Sequence, residues 1–460
     1  MKEYPINKND KITVEIIDLT HEGLGIAKID HYPIFIENSL PGEIVDILIV
    51  KVGNKFAFGK VIEWQKISPE RRDLKNYVLL QTGIAPLQHM SYGEQLLFKQ
   101  KQVKNVMKKI AKLPDTPVLP TIGMAVPKGY RNKAQIPARK VDNQLETGFF
   151  RKNSHELIPI QDFYIQDPKI DQAILVIRDI LRRFQVKPYN EQEHTGNLRQ
   201  IIIRRGHYSH EMMVILVTRT KKLFNHEQLV KEIMQKLPET VSIIQNINPD
   251  KTNVIMGEES ILLYGNPYIN DQLLGKNYHI SAASFYQVNT EQTEYLYKTA
   301  IEFAELSPTD QVVDAYCGIG TIALSLAEQV KHVYGVEIIE AAILDARENA
   351  AINQIENCTF KIGKAEEVMI DWQKAGISPN IIFVDPPRKG LTESFIETCT
   401  EMDPNRIIYI SCNPATLARD LKLFAELGYE TRKIQPVDLF PQTYHVETVA
   451  LLQKIDHLSG

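Results

Sequence analysis

Hydrophobic and polar positions along the chain follow three successive rhythms. From about Lys8 to Lys66 they alternate over short runs: Ile12-Thr13-Val14-Glu15-Ile16, Ile34-Phe35-Ile36, Glu43-Ile44-Val45-Asp46-Ile47 and Phe56-Ala57-Phe58-Gly59-Lys60-Val61. Gly23-Leu24-Gly25-Ile26-Ala27, read as a turn, and Pro41-Gly42 break them. A period of two marks half-buried strands, and strands this short predict a small β-barrel of the oligonucleotide-binding type, with a purely structural β-module as the alternative. Gln95 to Lys112 then has helical spacing, with an apolar stripe of Leu96, Leu97, Val103, Val106, Met107 and Ile110. Lys99, Lys101, Lys104, Lys108, Lys109 and Lys112 give that helix a basic face, either solvated or a contact surface.

Between about Gly123 and Asp271 the pattern mixes. Strand-like runs (Gln200–Arg204, Met212–Val217, Val241–Ile244) stand among helical ones (Asp171–Phe184, Glu227–Lys236), which predicts an α+β module. Arg131, Lys133, Arg139, Arg151, Lys152, Arg204 and Arg205 are scattered through it and could face phosphate. From Pro308 strands and helices alternate, as in a doubly wound parallel sheet. The predicted architecture is therefore multidomain: a barrel over residues 1–66, a central α+β module over 67–270, whose basic helix can pack on the catalytic part, and an α/β Rossmann-like domain over 271–460.

Composition narrows the setting. A length of 460 residues leaves room for several domains, and 24% charged residues with a net charge of −4 neither require nor exclude nucleic acid. No apolar run approaches the ~18 residues of a membrane span. Met1-Lys2-Glu3-Tyr4-Pro5 lacks a signal-peptide core. Cys317, Cys358, Cys399 and Cys412 form no CxxC pair, which argues against a disulfide framework and a cysteine-built metal cluster and fits a reducing, cytoplasmic setting.

The chemistry concentrates in the last rhythm. Cys412, in Ser411-Cys412-Asn413-Pro414, follows the apolar run Arg406–Ile410 and opens a helix with proline in its first turn. A thiol at a helix N-terminus is favoured as thiolate and suited to nucleophilic attack; the alternative is a buried small hydrophobe. Asp314-Ala315-Tyr316-Cys317-Gly318-Ile319-Gly320-Thr321 is a glycine turn between strand and helix, and Glu337 closes the next strand, where a carboxylate can accept ribose hydroxyls. The full GxGxxG and the Walker lysine are missing, so a nucleoside cofactor without pyrophosphate fits, S-adenosylmethionine foremost. Asp385-Pro386-Pro387-Arg388 follows another strand tip, as a crevice carboxylate or a turn cap.

Together with Ser284-Phe285-Tyr286-Gln287-Val288-Asn289 and Pro441-Gln442-Thr443-Tyr444-His445-Val446-Glu447, these motifs resemble the S-adenosylmethionine-dependent RNA 5-methyluridine methyltransferases over nearly the whole chain. Gly23–Ala27 and Leu40-Pro41-Gly42-Glu43 resemble the RNA-binding TRAM barrel of many members. The resemblance implies Cys412 as nucleophile, Glu447 as the base that removes the C5 proton, and Gln287, Tyr316, Glu337 and Asp385 as cofactor-binding positions. The Gln287 amide could equally contact the uracil edge. By local pattern alone Glu447 reads as a surface carboxylate ahead of an apolar run. Some members hold an iron–sulfur cluster with cysteines where this chain has Thr82-Gly83-Ile84-Ala85-Pro86-Leu87-Gln88-His89 and Phe163, which implies no cluster and no metal here. The implied partner is RNA, bacterial 23S rRNA preferred and tRNA the alternative, met by a monomer with no membrane contact. Phe149, Phe150 and Tyr208 are candidates for stacking on displaced bases. A DNA or protein methyltransferase and a catalytically silent RNA-binding scaffold are the competing readings; the former fits Asp385-Pro386-Pro387-Arg388 and a separate cysteine poorly, and the latter needs neither Cys412 nor Glu447.

Overall fold

The structure, a computed structural model, describes residues 5–455, so Met1 to Tyr4, on which the leader reading rests, lie outside it. Strands β1 (Lys11–Glu15), β2 (Asp18–Leu19), β3 (Gly25–Ile29), β4 (Tyr32–Glu37), β5 (Ile44–Val52) and β6 (Ala57–Lys66) form one sheet in the order β1-β5-β6-β4-β3-β2. Their alternation turns Val14, Ile34, Ile36, Val45, Ile47 and Ile49 into a single core. The Gly23–Ala27 expectation is corrected. The turn is Thr20–Leu24, with Gly23 at φ +78°, and Gly25 already starts β3. Gly25 serves close packing, because a Cβ there would sit 2.1 Å from Ser39 Oγ.

Helix α1 (Tyr77–Thr82) leads to α2 (Tyr92–Val106), which runs on as a π-helical turn through Ala111. Here the sequence reading of the basic face needs revision. Lys99 is fully buried, while Leu97 and Ile110 are exposed. The buried line of α2 is Gln95, Phe98, Lys99 and Val103, and the two polar members find partners in a distant loop described below. Lys101 reaches the barrel, 2.8 Å from Asp18.

The central sheet holds β7 (Lys133–Val141), β8 (Gln144–Phe150), β9 (Leu157–Pro159), β10 (Leu198–Arg205), β11 (Met212–Thr218), β12 (Thr240–Ile247) and β13 (Glu259–Gly265), ordered β13-β12-β11-β10-β7-β8-β9. Helices α3 (Pro168–Arg183) and α4 (His226–Lys236) cover one face, where Ile201, Ile203, Val214 and Leu216 join their core. Ile202, Met213, Ile215 and Val217 point the other way, into the core shared with the C-terminal part. Burial on both faces explains the unbroken apolar runs of β10 and β11. Phe163 is fully buried in the same core as Ile84 and Ala85, with Phe149 edge-on at 5.5 Å, so Phe149 packs, partly buried, against that core. Tyr208 hydrogen-bonds Glu294 at 2.9 Å. Most of the scattered cations are engaged within the protein. Arg204 is buried on the carbonyls of Ala282 and Ser284, Arg205 lies 2.8 Å from both Asp167 and Glu239, Arg151 pairs with Glu156, and Lys152 pairs with Glu37. Arg139 donates to the Ala138 and Arg199 carbonyls and stacks over Phe150.

A hairpin of β14 (Tyr268–Leu273) and β15 (Lys276–Ser281) and helix α5 (Thr290–Ala304) lead into the last sheet. There β16 (Gln311–Ala315), α6 (Thr321–Leu326), β17 (His332–Glu337), α7 (Glu340–Ile352), β18 (Cys358–Ile362), α8 (Ala365–Lys374), β19 (Ile381–Val384), α9 (Glu393–Glu401), β20 (Arg406–Ser411) and α10 (Pro414–Glu426) alternate as expected. Strands β21 (Tyr429–Val437) and β22 (Glu447–Lys454) follow, giving the order β18-β17-β16-β19-β20-β22-β21. The five inner-to-edge strands from β18 to β20 are parallel, and β22 runs against both β20 and β21. Strand order reverses at β16, the place where open α/β sheets bind ligands. Among the described residues no helix is long and apolar enough to cross a membrane.

Candidate active site

Parallel strands end at one edge of a sheet, and the chemistry-bearing residues stand in that edge. Glu337 closes β17, Tyr316 follows β16, Asp385 follows β19 and Cys412 follows β20. Strand β22 runs the other way, so its first residue, Glu447, belongs to the same edge. Thr448 is paired with Ser411, which sets Glu447 beside Cys412 on strands ~4.8 Å apart. The turn carrying Cys412 is built locally. Asn413 caps α10 by accepting from Ala415 N at 3.1 Å, Pro414 takes the first helical position, and Ser411 Oγ accepts from Asn413 N at 3.2 Å. Asn413 Nδ2 also donates to the Arg388 carbonyl at 3.3 Å, tying this turn to the Asp385–Arg388 turn.

Electrostatics revise one expectation. Cys412 is half-buried, and burial first, then Glu447 and Asp385, push its thiol up to about 11, with Arg388 opposing. The helix N-terminus alone does not produce a resting thiolate, because desolvation and two carboxylates outweigh it. Glu447 is buried, not a surface group; burial and then Asp385 raise it to about 8 against Arg388. Burial likewise raises Asp385 to about 7. These groups form one coupled cluster in which adjacent carboxylates resist ionising together.

The glycine turn offers room for a ligand. Tyr316 (φ +68°), Gly318 (φ +54°) and Gly320 (φ +82°) all adopt left-handed backbone, and the Tyr316 ring lies 5.4 Å from Phe395. A Cβ at Gly318 would meet nothing within 4 Å, so that glycine borders open space and does not relieve a clash. Glu337 Oε1 accepts from Ile338 N and Ile339 N at 2.8 and 3.1 Å, and Oε2 from Gly318 N at 3.3 Å. Asp314, which the sequence reading passed over, is fully buried at the end of β16; Oδ2 accepts from Ala323 N at 2.9 Å and Oδ1 has no partner. A strand-end carboxylate beside an open, left-handed glycine turn fits a nucleoside with free hydroxyls. Gln287 sits between β15 and α5. Its carbonyl accepts from Asn132 Nδ2 at 3.0 Å, and its side-chain amide bonds to no described residue. Next to it Phe285 is 71% exposed, an aromatic that the motif contained but the residue-level reading left unassigned.

Two of the scattered cations keep unbonded heads among the described residues, Arg131 and Lys133 on the strip that enters β7. Burial, then Arg204 and Arg131, press the Lys133 ammonium down to about 7. Arg388, Lys99 and Arg131 all bear on His445, two residues before Glu447, so Arg131 lies near the loop that leads into β22. Among the described residues no group of three or more His, Cys, Asp or Glu side chains is arranged to hold a metal ion.

The same residues can be compared with known proteins. Residues 91–455 match the family model described as tRNA (Uracil-5-)-methyltransferase, and residues 7–62 match the TRAM domain. A protein of Enterococcus faecalis named "Uncharacterized RNA methyltransferase" is 58% identical over 454 residues, 99% of this chain and 99% of the relative. One of the same name from Streptococcus pyogenes serotype M18 is 56% identical over 449 residues, 98% of this chain and 97% of the relative. The crystal structure of Pyrococcus abyssi tRNA (uracil-54, C5)-methyltransferase in complex with S-adenosyl-L-homocysteine matches with a TM-score of 0.76 at 27% identity, over 96% of this chain and 99% of that one. Sheet order, glycine turn and family agree, and the chain belongs to the tRNA (uracil-5-)-methyltransferase family, as an S-adenosylmethionine-dependent RNA methyltransferase with an N-terminal TRAM domain.

Proposed function

We propose that the protein methylates C5 of a uridine in RNA, with Cys412 attacking C6 and Glu447 removing the C5 proton. The observation that supports this most is the pairing of Ser411 with Thr448, which brings a cysteine and a buried carboxylate side by side at the ligand edge of the sheet. Uracil C5 is a weak nucleophile; a sulfur bonded at C6 moves the C5=C6 electron pair towards C5 as an enolate. When bound, S-adenosylmethionine supplies an electrophilic methyl group. Gln287, Tyr316, Glu337 and Asp385 would hold it, Glu337 by accepting from ribose hydroxyls. The C5–H pair then re-forms C5=C6 while the proton passes to Glu447 and the C6–S pair returns to Cys412.

The raised carboxylates serve this order of events. Cys412 attacks as the thiolate, its proton having passed to solvent; a neutral Glu447 does not repel that anion, and Arg388 favours it. Burial and Asp385, which hold Glu447 protonated, persist after attack, so it acts as base in the fraction that has ionised against them with the help of Arg388. Release of product from the preformed adduct is therefore expected to rise about tenfold per pH unit below 8 and level off above, since the base must be deprotonated, whereas attack by a thiol held near 11 keeps accelerating with pH. A flat profile between pH 6 and 8 in rapid-quench assays would contradict the role of Glu447.

In this reading a cytoplasmic monomer divides the work among a barrel (1–66), a central module (67–270) that grips RNA, and a catalytic domain (271–460). The target base must leave its stack to reach Cys412. Arg131 and Lys133 would meet the backbone phosphates beside it. Replacing either by alanine should lower the slope of log affinity against log salt by about one and weaken binding to all RNAs alike. Unchanged slopes in filter-binding titrations would remove them from the interface. The preferred RNA is bacterial 23S rRNA, on the barrel that the resemblance associates with rRNA-modifying members. Transfer RNA is the second reading, favoured by the likeness to the Pyrococcus abyssi enzyme. Incubation with labelled cofactor and separate rRNA and tRNA, followed by mapping of the methylated uridine, decides between them; label confined to tRNA would overturn the first.

A further inference from the structure

The segment from Asp438 to Val446, between β21 and β22, delivers Glu447 yet has no helix or strand of its own, so its backbone groups need partners from elsewhere. It is nevertheless largely buried, and the partners are polar side chains drawn from distant parts of the chain. Gln292 Nε2 donates to the Asp438 carbonyl at 2.9 Å and Asn289 Nδ2 to that of Leu439 at 3.0 Å. Lys99 Nζ donates to the Phe440 carbonyl at 3.1 Å and Tyr130 Oη to that of Pro441 at 3.1 Å. Leu87 N donates to the Gln442 carbonyl at 3.0 Å.

Two residues of α2 hold this cage together. Lys99, fully buried, makes an ion pair with the fully buried Asp438, whose other oxygen accepts from Tyr92 Oη at 2.9 Å. Gln95, also fully buried, exchanges two bonds with Gln442. Its Nε2 donates to Gln442 Oε1 at 3.1 Å, and its Oε1 accepts from Gln442 N at 3.0 Å. Gln442 has φ +69°, a conformation side chains other than glycine hold only when surroundings impose it. A buried ion pair adds little net stability over apolar packing, but it fixes geometry, because either charge alone would be left desolvated. Asn289 and Gln292 belong to the segment that follows Gln287, so the cofactor-side strip and the Glu447 loop share one rigid support.

We propose that Lys99 and Gln95 are positioning residues for the proton-removal step, acting through the 438–446 loop on Glu447. This rests on the reading of Cys412 and Glu447 given above. Neither residue touches the reacting atoms; their contribution is that Glu447 meets the C5 proton without searching. The elimination step should therefore suffer when they are removed, and attack by Cys412, which is set by its own strand and helix cap, should not.

The test uses the full-length protein with three variants. Lys99→Met combined with Asp438→Asn removes both charges of the pair at once. Gln442→Gly removes the side-chain bonds while relaxing the left-handed backbone, and keeps the test usable if the buried pair proves necessary for folding. Gln95→Met is the third. RNA transcribed with 5-fluorouridine reports attack and methyl transfer alone, because a base cannot remove fluorine as it removes a proton; ordinary RNA reports the whole cycle. The expected result is covalent adduct on fluorinated RNA at the wild-type rate, cofactor affinity within about twofold, and release of methylated product slowed about 10²-fold, the scale of a displaced catalytic group. Product release at the wild-type rate would overturn the proposal. A parallel fall in adduct formation, cofactor affinity and release would overturn it too, as the mark of a general structural role. If the wild-type protein itself forms no adduct on fluorinated RNA, the covalent reading fails and this inference falls with it, an outcome separate from a variant that merely matches wild type.

Discussion

A Cys412→Ala variant is expected to lose turnover by at least about 10⁴-fold, the scale seen when a covalent nucleophile is removed. It should form no denaturation-resistant adduct with fluorinated RNA. Cofactor binding should hardly change, because Glu337 and the Gly318 turn stand on strands β17 and β16, on the far side of β19 from the cysteine. Methyl incorporation and gel-shift assays on one preparation separate these readouts. Alanine at this position also removes a group whose thiol is held near 11, so the loss should persist at high pH, where a merely weakened acid would recover. Near-normal turnover would rule the thiolate mechanism out.

A Glu447→Gln variant should fail differently. Attack and methyl transfer need no base at C5, so the methylated RNA should remain bonded to Cys412, with product formation down by about 10² to 10⁴-fold, the range of general base catalysis. Glutamine also takes away one of the carboxylates that raise the thiol, so above pH 8, where Glu447 is ionised in the wild type, adduct should form faster than in the wild type. The rise in rate through pH 8 should vanish along with the group that causes it. Denaturing gels of RNA carrying labelled methyl show the species directly; free methylated product with no adduct would assign the base elsewhere.

The two variants mark where the sequence was informative. Cys412, Glu337 and Asp385 follow strand tips that the strand–helix alternation makes visible, so their shared edge could be foreseen. Glu447 could not be reached that way. It heads an antiparallel strand, and only the resemblance lifted it from surface carboxylate to base. The pKa of Cys412 was misjudged because its causes, burial first and then Glu447 and Asp385, arrive through sheet order and packing and not through neighbouring sequence. Lys99 was misread for a related reason. A lysine in a predicted helix with five further exposed lysines reads as solvated, and its partner Asp438 lies 339 positions away. Gly25 looked like a turn because a glycine needed for close packing carries no local sign of it. The rhythm of β10 and β11, by contrast, spoke plainly, since burial on both faces leaves an uninterrupted apolar run.

Strand β22 is the C-terminal strand of those described, yet it sits inside the sheet, between β20 and β21. An interior position for a late segment makes assembly of the enzyme an ordered event. Until β22 is seated between β20 and β21, the sheet edge that carries Cys412 lacks Glu447. Two long-range commitments bring it there: pairing of β22 with both neighbours, and the docking of the 438–446 loop onto a helix more than three hundred residues earlier in the chain. The candidate site is thereby complete only when the last described strand is in place.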